Sequence, residues 1–260
     1  MHTTHSVLDH TQIVDSALLG TVLAAGCTAL YIRRHTWLVR WETAATACIA
    51  LLCVGTLCLS PQLIVFNPRL SPEIRTDALP GQFLIGYLTL LLAAQMFLLD
   101  LAGRMVWECA AKARYMNLYV VLPGTIMLPT VIGLWTAQSR WVIEILAVSL
   151  IYTLSHIGYL LWRIKRTDPR SGIVVDLHLA AFVFQVAAPL TRWFAPVSLW
   201  EPWGWRFGSF AALLFMAAAS ISWIRKRRYI KLHMWQRIRA EKPLKRKTSR
   251  REHRRHKTAH

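Results

Sequence analysis

The chain has 260 residues, is 55% apolar and only 17% charged, and carries a formal net charge of +18. Its mean hydropathy is +0.35. An ordinary soluble domain is nearer a quarter charged, so this composition excludes a water-soluble enzyme with a basic patch and points to an integral membrane protein. The charge is uneven: residues 225–260 hold 16 Lys and Arg against Glu241 and Glu252, a net of +14, while the rest of the chain nets +4. A membrane domain at 1–224 followed by a basic tail at 225–260 is therefore expected.

A helix needs about 20 apolar residues to cross a bilayer. Taken in chain order, runs of that kind fall at roughly 12–32, 44–66, 83–103, 116–136, 141–163, 172–194 and 206–224. No Lys or Arg precedes the first run, so the charged n-region of a secretory signal is missing and this segment reads as a retained helix. Lipid offers no hydrogen bonds, and the runs are too long and too uniformly apolar for barrel strands. The expected fold is all-α, a polytopic bundle of seven transmembrane helices.

Counting Lys and Arg between the runs puts 26 on one side and 5 on the other, or 10 and 5 without the tail. Cytoplasmic loops carry the excess, which predicts the N-terminus outside and the C-terminus in the cytoplasm of a cell-membrane protein. Arg33, Arg34 and Arg40 count as inner-loop charges, and Arg192 and Arg206 as outer ones. Tryptophans cluster at the predicted ends, with Trp193, Trp200, Trp203 and Trp205 near the last outer loop, as expected of interfacial anchors.

Within the first run Ser16, Gly20, Ala24 and Thr28 recur every four residues, a spacing that lets two helix backbones approach closely. Pro61, Pro123 and Pro129 are expected to kink or break their helices. The cysteines Cys27, Cys48, Cys53, Cys58 and Cys109 form no CxxC motif and read as small apolar packers rather than a disulfide framework.

Ionisable residues inside spans are costly and mark functional candidates. The fifth run carries Ser149, Tyr152, Thr153 and His156 within one stripe about 100° wide. The sixth carries His178, Gln185 and Arg192 at intervals of seven. His156 and His178 fall at similar depth on neighbouring helices, so a facing pair is a candidate for interhelical hydrogen bonding or a proton relay. The alternative is a metal or haem site, since imidazole ligates zinc, copper and iron; no cofactor is the primary expectation. Asp176 points about 200° away from His178 and does not join it. Asp100 and Arg104 stand in the favourable acid-first i,i+4 order. Glu144 and Arg192, both near the outer surface, suit an ion pair. No GxSxG, HExxH, P-loop or GxGxxG is present, so no catalytic residue is expected.

The tail begins RKRRYIKLHMWQRIR. Ile230, Met234 and Ile238 recur every four residues among Arg225, Lys226, Arg227, Arg228, Lys231, Arg237 and Arg239. That pattern predicts a helix on the inner leaflet to about 240, binding anionic lipid headgroups, and then a disordered segment. A cytoplasmic protein or nucleic acid is the alternative partner.

Three stretches, LSPEIRTDALPGQFLIGYLTLLLAAQMFLLDL, IYTLSHIGYLLWRI and RRYIKLHMWQRI, resemble a group of actinobacterial seven-helix membrane proteins described as transporters. The resemblance covers roughly residues 12–238. Where those proteins continue into a folded cytoplasmic domain, this sequence has its basic tail. The resemblance implies transport. The residues themselves favour a sensory, regulatory or scaffolding role through the tail, with a small-solute or proton-coupled transporter next, using the His156 and His178 faces and a break near Pro123 or Pro129. A metal- or haem-dependent membrane enzyme comes third. Oligomeric state is not encoded in any motif.

Overall fold

The structure is a computed structural model that describes residues 2–38, 42–60, 62, 81–105, 109–136, 141–167, 172–194 and 203–230; side chains of 2–11, Leu38, Cys109, Ile143, Arg192 and Trp193 are outside the description. Among the described residues every regular element is helical and no strand occurs. Helix α1 is His2–Ile32, α2 Thr43–Cys58 and α3 Gly81–Arg104. Helix α4, Cys109–Met116, continues through a π-helical segment, Asn117–Val121, into α5, Leu122–Thr136. Helices α6, α7 and α8 are Trp141–Thr167, Gly172–Phe194 and Trp203–Ile230.

Six of these helical stretches are long and apolar enough to cross a membrane. They correspond to every expected run except the second. There the described helix is the 16-residue Thr43–Cys58, and most of 59–66, including Pro61, lies outside the described residues. The chain divides into two units, Met1–Ser220 and Ile221–His260.

The core of the first unit follows from helical periodicity. Leu91, Ala94, Leu98 and Leu101 of α3 and Leu146, Leu150, Leu154, Ile157 and Leu161 of α6 are buried at intervals of three and four, one stripe on each helix. The opposite face of α3 carries exposed Leu92 and Leu99, which suits a helix with lipid on one side. Helix α3 packs on α2 and α6, α6 also on α7, and α2 also on α1.

Two expectations about packing are corrected. The Ser16–Gly20–Ala24–Thr28 stripe is exposed throughout. Helix α1 instead turns Asp15, Val22, Gly26 and Ala29 inward, and Gly26 makes the close approach: a Cβ there would collide with Cys53 Sγ. The stripe lost because the inward face also carries the two polar anchors of the helix, Asp15 and, just past its end, Arg33. The second correction concerns the prolines, neither of which breaks its helix. The helix widens to a π turn ahead of Pro123, with Leu122 N–H donating to Asn117 O, and Pro129 sits within α5. Widening re-partners donors around a residue that cannot itself donate.

Trp205, expected at the interface, is buried, and its Nε1–H donates to the Thr56 carbonyl at 3.2 Å. Cys27, Cys48, Cys53 and Cys58 are free thiols.

Candidate functional site

Buried polar groups collect in three places in the first unit. The first is an ionic layer where α1 ends and α2 begins. Arg33, 2% exposed, turns its guanidinium inward from the residue after α1. Its Nη2 meets Glu42 Oε2 at 2.8 Å, Nε donates to Thr46 Oγ1 at 3.1 Å, and Nη1 donates to the Ala219 carbonyl of α8 at 3.1 Å. Thr36 Oγ1 in turn donates to Arg33 O and lies against Thr46 Oγ1. Glu42 precedes α2, where the helix dipole favours an acid, and it is only 2% exposed.

Helix α3 completes the layer. Arg104 holds Asp100 through Nε at 2.8 Å and Nη2 at 3.0 Å, the expected i,i+4 pair, and its Nη2 stands 3.7 Å from Glu42 Oε2. Two cations and two carboxylates from three helix ends thus share one cluster, in which Arg33, Glu42 and Asp100 are buried and the Arg104 side chain is 41% exposed. Burial pulls the Arg33 guanidinium below its ordinary pKa, and the Glu42 carboxylate opposes that shift.

The second place joins the other ends of α1 and α8. Asp15, 6% exposed, accepts from Arg206 Nε at 2.7 Å, and the guanidinium lies 5.3 Å from the Trp203 ring centroid. Nearby on α1, Ser16 accepts from Gln62 Nε2 at 3.4 Å. Arg206 Nη2, Ser209 Oγ, Gln62 Oε1 and Gln82 Nε2 are buried with no hydrogen-bond partner among the described residues.

The third is a pocket of about 50 Å³ bounded by α2, α3, α6, α7 and α8. His178 and Gln185 are its polar side chains, Cys48 adds a thiol, and the rest of its wall is aliphatic or aromatic. His178 is fixed on several sides. Its ring stacks on Phe97 at 4.9 Å with 12° between planes and meets Phe215 edge-on at 5.2 Å. Its Nδ1 lies 2.7 Å from Val174 O. A carbonyl only accepts, so Nδ1 carries a proton, and in the neutral ring Nε2 is then the acceptor.

His156 has different surroundings. Its Nδ1 pairs with Tyr115 OH at 3.0 Å, and the rings of Tyr119 and Tyr152 pack at 4.6 and 4.8 Å. It therefore engages α4 and the π segment, while His178 engages α3 and α8. No hydrogen bond or ring contact joins the two histidines among the described residues, and no group of three or more His, Cys, Asp or Glu there gathers as a metal site. The other stripe residues are modest: Thr153 Oγ1 donates to Ser149 O at 2.9 Å, and Tyr152 is exposed. Asp176 accepts from Lys165 at 2.5 Å, away from His178. Glu144 is half-buried; the Arg192 side chain proposed to meet it lies outside the described residues, as do Lys231, Arg237 and Arg239. Arg225, Arg227 and Arg228 are exposed and Lys226 is half-buried, all within α8.

Sequence reasoning did not single out Arg33, Glu42, Asp15 or Arg206. Each stands at the edge of an apolar run, where a charge ordinarily faces water. One signal was available: Glu42 is an acid at a predicted inner end otherwise rich in arginine.

No protein-family model, no curated protein and no solved structure matches the chain.

Proposed function

We propose that this protein is a seven-span cell-membrane protein, N-terminus outside and C-terminus cytoplasmic, of sensory or regulatory type, whose basic C-terminal segment engages anionic lipid. The observation that carries the reading is the uninterrupted helix Trp203–Ile230. At 1.5 Å per residue, Arg225 lies about 33 Å along that helix from Trp203, just beyond a hydrocarbon core about 30 Å thick. Arg225, Lys226, Arg227 and Arg228 then form one full turn of cations at headgroup depth, with exposed Tyr229 beside them. Each cation near an anionic surface is worth about 1 kcal/mol.

The test is native mass spectrometry of the full chain extracted from bilayers of mixed phosphatidylcholine and phosphatidylglycerol. Wild type should retain phosphatidylglycerol preferentially. Replacing all four cations with Gln should lower that preference about tenfold, roughly a third of the nominal sum because the rest of the tail still attracts. Equal retention by both proteins would contradict the reading.

A small-solute or proton-coupled carrier is the second reading. It is favoured by the buried charges Asp15, Arg33, Glu42 and Asp100, because ionisable groups inside a membrane bundle commonly line substrate or proton pathways. The resemblance to actinobacterial proteins described as transporters points the same way.

A further inference from the structure

The pocket around His178 lies at mid-height in the bundle. The residues of its wall fall within 48–52 of α2, 90–97 of α3, 150–157 of α6, 178–185 of α7 and 211–215 of α8, each in the middle of its helix. Two polar side chains therefore meet an otherwise apolar wall at a depth where lipid offers no hydrogen bonds.

Both lack partners. Among the described residues, His178 Nδ1 is taken by Val174 O and Nε2 makes no hydrogen bond; the Gln185 amide makes none either. An unmatched polar atom on a side chain as buried as His178, 8% exposed, costs free energy, and the stacking on Phe97 and Phe215 leaves the ring little freedom to find another partner. The volume sets the size of an occupant. About 50 Å³ exceeds the roughly 10–15 Å³ that one water requires and falls well below the roughly 150 Å³ of a cavity that admits benzene. Hydrogen-bond chemistry sets its kind: Nε2 is an acceptor, so the occupant must donate. A cation would meet no carboxylate in the wall.

We propose that this pocket is an intramembrane binding site for a small neutral hydrogen-bond donor, of the size of water or ammonia, held by His178 Nε2. The site goes beyond the lipid-binding reading and does not depend on it. The ionic layer of Arg33, Glu42, Asp100 and Arg104 lies towards one end of the helices that form it, with Asp100 one turn from Phe97, and the Asp15–Arg206 pair lies towards the other, with Arg206 five residues from Ala211.

The test is solid-state NMR on the full chain in phosphatidylcholine bilayers, with ¹⁵N-labelled histidine and His178 assigned through its neighbours in α7. Magnetisation transferred from water protons should reach the His178 ring. It should be lost in Ala181→Leu, which fills the pocket, or in Ala211→Leu if that variant fails to fold. Ammonium chloride, added at a pH where free ammonia is present, distinguishes the two occupants: a shift at His178 that is absent in the filled variant identifies ammonia, and no shift identifies water. A wild-type His178 ring that receives magnetisation only from lipid or protein protons, and does not respond to ammonium chloride, overturns the proposal.

Discussion

Replacing Glu42 with alanine will cost about 3–5 kcal/mol of stability, the usual consequence of removing one member of a buried ion pair. The substitution takes away the carboxylate that Arg33 meets at 2.8 Å and that also stands 3.7 Å from Arg104. Two guanidiniums would then share Asp100. Arg33→Met should be milder, because Glu42 keeps Arg104 nearby and the methionine replaces much of the lost apolar contact. The double variant Arg33→Met/Glu42→Leu should lie closer to wild type than Glu42→Ala, since exchanging a whole buried pair for apolar residues is often neutral. Thermal unfolding in detergent, followed by circular dichroism, gives the order. If Glu42→Ala were the mildest of the three, the ionic layer would not hold these helix ends together.

The second large effect concerns the contact between α1 and α2. A Cβ on Gly26 would fall far inside van der Waals contact with Cys53 Sγ, and the thiol sits on a short side chain. Gly26→Ala should therefore destabilise by about 1–3 kcal/mol through overpacking. Cys53→Ala removes the atom in the way, so Gly26→Ala should cost much less in that background. A double-variant cycle isolates this coupling. Equal costs in both backgrounds would mean that the helices meet elsewhere. Gly86 makes a similar contact between α3 and α2, with a Cβ 2.7 Å from Leu59 Cγ, and should respond in the same direction.

These two sites mark the boundary of what the sequence discloses. The helices are legible because hydropathy is a local property: each apolar run implies its own span wherever its neighbours lie. Facing is legible only in part. The buried stripes of α3 and α6 follow the apolar spacing, but on α1 a row of small residues at ideal spacing faces outward while Gly26 makes the contact. Nothing in α1 alone distinguishes those faces, because the choice is made by Asp15 and Arg33, whose partners Arg206 and Ala219 are 191 and 186 residues away.

The ionic layers were hidden for a related reason. A charge at the end of an apolar run ordinarily lies in water, and a count by loops treats Arg33 and Arg206 as interchangeable with Arg34 and Arg192. His156 and His178 were recognised as candidates, but similar depth does not fix azimuth. His156 turns to Tyr115, which precedes the expected fourth run, and His178 turns to the aromatic rings of α3 and α8. Trp205 follows the same pattern, an interfacial residue type recruited inward because Thr56 O was within reach.

The lipid-binding account rests on which side of the membrane the basic end of α8 occupies. The most direct test starts from a cysteine-free version of the full chain with single cysteines introduced at Ser6 and at Thr258, expressed in cells and exposed to a membrane-impermeant maleimide before and after lysis. The account predicts labelling at position 6 in intact cells and labelling at position 258 only after lysis. Labelling at position 258 in intact cells would place the cationic turn on the outer leaflet and contradict it.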